Sequence, residues 1–217
     1  MIAKALSNIF FQMITPPYCV YCKIFLTLDT IFCDNCIKKI APIVSTMVAV
    51  TAKKKIIVNA LSSYEEPLKS LILAKGWSQK VASIQMAELI WKYTNISSQP
   101  CDIWIPIPLH WTRFAWRGYN QAEVMAKIFS KKNKKPMLPI LKRTKRTYLQ
   151  SSLTVLERAH NISQAFELKI MQKNIKNKHI VLVDDLMTTG ATLREAARIL
   201  LPLKPASISA IVTCRVI

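Results

Sequence analysis

An open α/β fold built on a parallel sheet is what this sequence predicts, and three observations predict it. Apolar, strand-like runs alternate with helical patterns from Lys55 onward. Residues 180–183 are apolar at every position, as in a central strand covered on both faces, where alternation is lost. That run ends in Asp184 and Asp185 and passes through Thr188-Thr189-Gly190 into a helical pattern from Leu193 to Leu201. Open α/β sheets bind their ligands at such carboxyl ends. No internal repeat is found.

Taken in order, Ile2, Leu6, Ile9, Phe10 and Met13 fall at helical spacing with Asn8 and Gln12 between them, which reads as a docking helix rather than a signal peptide. Cys19-x-x-Cys22 and Cys33-x-x-Cys36 are paired knuckles whose four thiolates suit one tetrahedral structural Zn2+ with no open position for catalysis. Pro42 closes this unit. The chain thus divides into 1–45, a docking helix and four-cysteine zinc module, and 46–217, the α/β domain. Residues 55–61 read as a strand, 66–74 as a helix with Leu68, Leu71 and Ile72 on one face, and 81–93 as a second helix. A strand over 103–109 is broken by Pro106 and Pro108, so the chain must leave the sheet there. Asn120-x-x-Glu123 caps a helix reaching about Lys131. Residues 142–161 lack periodicity and read as a long mobile loop, and such loops are usually functional. The last strand is 207–213. Cys101 and Cys214 lie in apolar surroundings, as small core residues do.

Composition bounds the rest. With 217 residues, 51% of them hydrophobic, the chain supports one main domain with a small appendage and is not disordered. Its longest uncharged apolar stretch, 40–52, is too short for a bilayer span, so a soluble cytoplasmic protein without a transmembrane segment is expected. The formal net charge is +19, and no acid occurs from Val124 to Leu156, where Lys127, Lys131, Lys132, Lys134, Lys135, Lys142, Arg143, Lys145 and Arg146 cluster. Such a surface attracts polyanions such as single-stranded DNA, and it is equally what an ordinary solvated lysine face looks like. Salt dependence separates the two.

The turn after residue 183 carries the chemistry. Thr192-x-x-Glu195 reads as a capping box that starts the helix, leaving free backbone N–H groups pointing at a phosphate. A nucleotide P-loop, a dinucleotide glycine fingerprint and a nucleophile elbow are all absent. What remains resembles the 5-phosphoribosyl-1-diphosphate (PRPP) signature of type I phosphoribosyltransferases: four apolar residues, an acidic pair, a spacer, then Thr-Gly-x-Thr. The resemblance implies that Asp184 and Asp185 hold the ribose hydroxyls, that Thr188, Thr189, Gly190, Ala191 and Thr192 cup the 5′-phosphate, and that Mg2+ accompanies PRPP.

A narrower resemblance rests on the order of several short motifs. After the knuckles come Tyr64, Pro67-Leu68 and Leu71-Ile72 ahead of Lys75, then Pro106-Ile-Pro-Leu-His110, Arg117-Gly-Tyr-Asn-Gln121, Gln150, Leu153, Arg158, Asn161, Ala165-Phe166 and 181–193. This order is similar to that of the ComF family, whose fold is phosphoribosyltransferase-like and whose role is in DNA uptake during natural transformation, alongside a competence helicase and other DNA-processing proteins. It implies a diphosphate side at Pro108, Leu109 and His110 with Arg113 and Arg117, and a lid carrying Arg143, Gln150, Arg158 and Asn161. Two departures stand out. Gly76-Trp77-Ser78 replaces the family's usual pattern after Lys75, and Lys23 and Ile37 occupy places where the knuckles usually carry glycine, so a different ribbon geometry is expected. Two classes of function stay open: a phosphoribosyltransferase, including one of nucleotide salvage, and a non-catalytic module that holds single-stranded DNA or a partner. The adjacent acids favour sugar hydroxyls, since they would repel a polyanion.

Overall fold

A strand that is apolar at every position needs cover on both faces, and the sheet supplies it. The computed structural model describes residues 18–26, 30–42, 45–73, 79–144, 165–169 and 175–217. The amino-terminal docking helix, the Lys75–Ser78 motif and most of the 142–161 loop lie outside them. In chain order the elements are α1 (Asp34–Ile37), β1 (Thr46–Ala49), β2 (Lys55–Ser63), α2 (Leu68–Leu73), α3 (Gln79–Tyr93), a 3-10 turn (Asn95–Ser98), β3 (Ile103–Pro106), α4 (Trp111–Arg117) and α5 (Gln121–Asn133). There follow β4 (Leu141–Arg143), β5 (Phe166–Leu168), β6 (His179–Met187), α6 (Ala191–Leu200), a second 3-10 turn (Leu201–Leu203) and β7 (Ser207–Arg215). The main sheet has the order β1-β2-β7-β6-β3. Only β1 is antiparallel to its neighbour.

Ile180 and Leu182 of β6 pack with Leu193, Ala196, Ala197 and Leu200 of α6 on one face, while Val181 and Val183 pack with Met86 and Ile90 of α3 and Met125 and Phe129 of α5 on the other. Each fully buried Val, Leu, Ile, Met or Phe among them contributes roughly 1.5–3 kcal/mol. The cysteine module shares the second of these cores, since Cys19, Phe32 and Cys36 join Leu61, Leu68 and Met86. Among the described residues no helix is long and apolar enough to cross a membrane.

Four features differ from the sequence reading. Part of the apolar stretch 40–52 is strand β1, zipped to β2 through a turn closed by Val50 N–H donating to Lys54 O at 2.8 Å. Residues 111–117 form a helix, an element the sequence reading does not assign there. Residues 142 and 143 belong to β4, which pairs antiparallel with β5 (Leu141 with Leu168, Arg143 with Phe166). Strand β6 does not stop at Val183 but runs through the acids to Met187, because β7 continues beside it as far as Arg215.

Candidate functional site

The site is made by two neighbours of β6 that end at different heights. On one side β3 stops at Pro106, opposite Val183, and the last bond across is Ile107 N–H to Val183 O at 2.9 Å. On the other side β7 follows β6 to the pair Met187–Arg215. Asp184 and Asp185 therefore sit where β6 has lost one partner, with the β3 exit loop as the opposite wall. That loop is pinned by Asn120, whose Nδ2 donates to Ile107 O at 2.9 Å while its Oδ1 accepts from Ala122 N–H at 3.1 Å and caps α5. The cap expected at Asn120 is present. Its partner Glu123 pairs instead with Lys127 at 2.7 Å.

Burial, the charge of Asp185 and a hydrogen bond from it push the Asp184 carboxyl well above the usual carboxylate range, against the pull of the Asp185 N–H and Arg143. Asp184 keeps some exposed surface but is ringed by protein atoms, and the ring of atoms governs its ionisation. Its Oδ1 accepts from Asp185 N–H at 2.9 Å. Arg143 is held below the ordinary guanidinium range by burial and by Arg113, while Asp184 pulls it up. Its guanidinium lies 5.5 Å from the Phe166 ring centroid, so β5 positions a cation that β4 carries. Arg113, Arg143 and Asp184 thus form one electrostatic string. On the other flank, Tyr64 and Tyr119 are raised by burial and, among other charges, by Asp185. Both tyrosines fall in motif positions of the sequence, yet no role had been read for them. The signal that would have found them is three-dimensional.

Beyond the acids the turn is built on Gly190, which adopts φ +72° and caps α6 without a side-chain hydrogen bond. The capping box expected at Thr192 and Glu195 is not formed. The helix begins earlier, at Ala191, and Glu195 instead makes a two-point pair with Arg198 at 2.8 Å on each oxygen. Thr189 Oγ1 lies 3.4 Å from Ala191 N, Thr188 is exposed, and the first turn of a ten-residue helix presents its amides to the cleft. A Cβ on Gly190 would lie 2.9 Å from Val48 Cγ2, in a backbone conformation costly for any L side chain. Gly190→Ala is expected to lose about 2 kcal/mol of stability. Denaturant midpoints check this, and adding Val48→Ala should cost less than the two single losses summed.

His110 is buried and caps α4: its Nδ1 lies 2.9 Å from Thr112 Oγ1, and its carbonyl accepts from Arg113 and Phe114 N–H at 3.0 Å. Pro108 and Leu109 line the exit loop between β3 and this cap. Arg117 donates from Nη1 to Gln121 Oε1 at 3.0 Å. Gln150, Arg158 and Asn161 lie outside the described residues, so Arg143 is the lid candidate whose place is seen.

The Sγ atoms of Cys19, Cys22, Cys33 and Cys36 all lie within 4.8 Å of one another, with Cys22 and Cys33 at 3.6 Å. A Zn–S bond of about 2.3 Å in a tetrahedron separates sulfurs by about 3.8 Å, so the cage can hold such a metal. Burial opposes ionisation of Cys19, but backbone N–H groups of Cys22, Cys33 and Tyr21 bring its thiol down to about 6. Burial and the neighbouring sulfurs push Cys36 up to about 12. Four such thiols ionise together only around a cation. Lys23, where glycine was expected, has φ +64°, the conformation glycine would take, and its Nζ donates to Val20 O at 2.7 Å. The turn geometry is thus kept and a side chain endures it, at about 1 kcal/mol. Lys23→Gly should retain metal and melt no lower than the parent; a clear drop in melting temperature would refute the strain.

A family model described as a phosphoribosyl transferase domain matches residues 115–217. Competence protein F of Haemophilus influenzae is 33% identical over 192 residues, covering 85% of this chain and 78% of its own. DNA utilization protein YhgH of Escherichia coli O6:H1 is 27% identical over 205 residues, covering 91% and 83%. Competence protein ComFC of Bacillus subtilis is 35% identical over 113 residues, covering 51% and 43%.

Proposed function

Because this chain belongs to the competence protein F family and carries its phosphoribosyltransferase-like fold, we propose that it binds PRPP and acts in DNA uptake, on single-stranded DNA, beside a competence helicase or another DNA-processing protein. The observation that carries the reading is the Asp184 carboxyl, raised by burial and by its neighbour Asp185, set beside a helix start whose cap is the side-chain-less Gly190. Two adjacent carboxylates at that place suit the hydroxyls of a ribose, and the amides of the 190–192 turn suit its 5′-phosphate. The donor set also suits a dication next to the sugar. Mg2+, when bound with PRPP, would neutralise charge building on the leaving diphosphate.

If turnover occurs, a nucleophile bonds to the anomeric carbon as the bond to diphosphate breaks, and diphosphate departs with the electron pair. Arg143 and Arg113 are the cations placed to meet it, and Phe166 orients the first. The four-cysteine cage takes Zn2+ as a structural ion and fastens the amino-terminal module to the core. The basic side of α5 with the turn that follows it, carrying Lys127, Lys131, Lys132, Lys134 and Lys135, is the surface for single-stranded DNA, although Glu123 and Glu88 engage Lys127 and Lys132. The cytoplasm is the compartment these ligands imply. A calorimetric titration of PRPP with and without Mg2+ tests the reading: saturable, Mg2+-dependent binding supports it, and no binding at millimolar PRPP overturns it.

A further inference from the structure

A second cavity lies at the opposite end of the sheet, where β2 and β7 begin. It is a half-open hollow of about 510 Å³, walled by the β1–β2 turn (Lys54, Lys55), the connection into β3 (Gln99, Pro100), the α6–β7 connection (Pro205) and the first residues of β7 (Ser207, Ser209). Along β7 the residue paired with Asp184 is Val212, five positions beyond Ser207 and roughly 17 Å away at the usual rise of a strand. The cavity is therefore separate from the PRPP site.

Its chemistry is one-sided. Lys54 and Lys55 contribute two charges, and among the described residues no carboxylate lines the wall and no ion pair involves either lysine. Ser207 and Ser209 add hydroxyls, and the first is held by His179 Nδ1 at 2.8 Å. Gln99 is fixed in orientation: Ser45 Oγ donates to Asn59 Oδ1 at 2.6 Å, and Asn59 Nδ2 donates to Gln99 Oε1 at 3.1 Å. The remaining donors of the Gln99 amide are thereby free to meet an acceptor on a ligand. Ile57, 53% exposed, and Pro100 supply a flat apolar strip. Ligand sites have this volume and this mixture of apolar wall with few polar groups.

We propose that this cavity is a binding site for a mononucleotide-sized phosphate monoester, with the phosphate on Lys54 and Lys55, the base against Ile57 and Pro100, and its edge read by Gln99. It goes beyond the PRPP reading and does not depend on it. The test uses adenosine 5′-monophosphate as probe, titrated calorimetrically into the full chain, with adenosine and inorganic phosphate as separate arms. The expected result is saturable binding of the monophosphate, at least tenfold weaker for either part alone. That binding should weaken at least tenfold in Lys54→Glu/Lys55→Glu and in the cavity-filling Ser209→Phe, and persist in Asp184→Asn/Asp185→Asn. Both lysines are exposed, so the first variant folds, which thermal melting verifies. Absence of binding, equal binding of inorganic phosphate alone, or binding lost with the acids and indifferent to the lysines each overturns the proposal. Failure here leaves the Mg2+-dependent PRPP titration untouched, and failure there leaves this one standing.

Discussion

Asp184→Asn combined with Asp185→Asn is expected to abolish PRPP binding and, at neutral pH, to make the free protein more stable. The two effects have one cause. A ligand that binds only the native state raises stability by about 2.7 kcal/mol at 100 times its dissociation constant, and that increment should vanish in the variant. The unliganded native state, by contrast, carries a carboxyl whose burial and acidic neighbour raise it well above its ordinary value. Native Asp184 then holds its proton to higher pH than the unfolded chain does, so stability falls as pH rises from about 4 through the native value. Asparagine removes that repulsion. A gain of about 1 kcal/mol, or a few degrees in melting temperature, is expected at pH 7 and should disappear below about pH 4. A variant that melts lower at pH 7, or one that keeps the PRPP-induced shift, would sink the assignment of these residues to a strained binding site.

Cys36→Ser is expected to empty the metal cage and loosen more than the module around it. Apparent binding energies of structural zinc are about 10–16 kcal/mol, and loss of one of four sulfurs leaves a set that cannot close the tetrahedron. Cys36 is buried in the same cluster as Leu61, Leu68 and Met86, so the damage reaches the face of the sheet that α3 covers. Metal content by chelator-coupled absorbance should fall from about one equivalent to near zero, and the main transition should drop by several degrees. Full metal content in the variant, or a metal-free parent with an unchanged melting curve, would falsify the structural role.

Elements legible in the sequence are those whose pattern is fixed by their own burial. β6 shows an unbroken apolar run because α6 covers one face and α3 and α5 the other. β3 ends at its proline, and α5 begins at the asparagine that caps it. What escaped depends on partners distant in the chain. β1 is four residues long and is a strand because Lys55–Val58 lie beside it. β4 and β5 are three residues each, and neither has meaning without the other. The acids belong to β6 because β7 outlasts β3, a difference in strand length that no local motif encodes. At α6, Thr192 and Glu195 have the spacing of a capping box, but Gly190 with its positive φ starts the helix first and Arg198 takes the glutamate. The site followed the same division. The acids and the glycine were evident as a motif, whereas the reach of Tyr64, Tyr119 and Arg143 toward them comes from folding.

The ribbon made by β4 and β5 joins two points far apart in the chain. Thr144 N–H donates to Ala165 O at 2.9 Å, so the points where the chain leaves and rejoins this ribbon are fastened to each other. Doubling the length of a flexible loop between fixed ends costs only about 0.6 kcal/mol. A change of chain length between residues 144 and 165 should therefore leave the pairing of β4 with β5 in place, which thermal melting of such a variant checks. Arg143 and Phe166 face each other across that ribbon, so the cation and the ring that holds it stay in register whatever the length of chain between them.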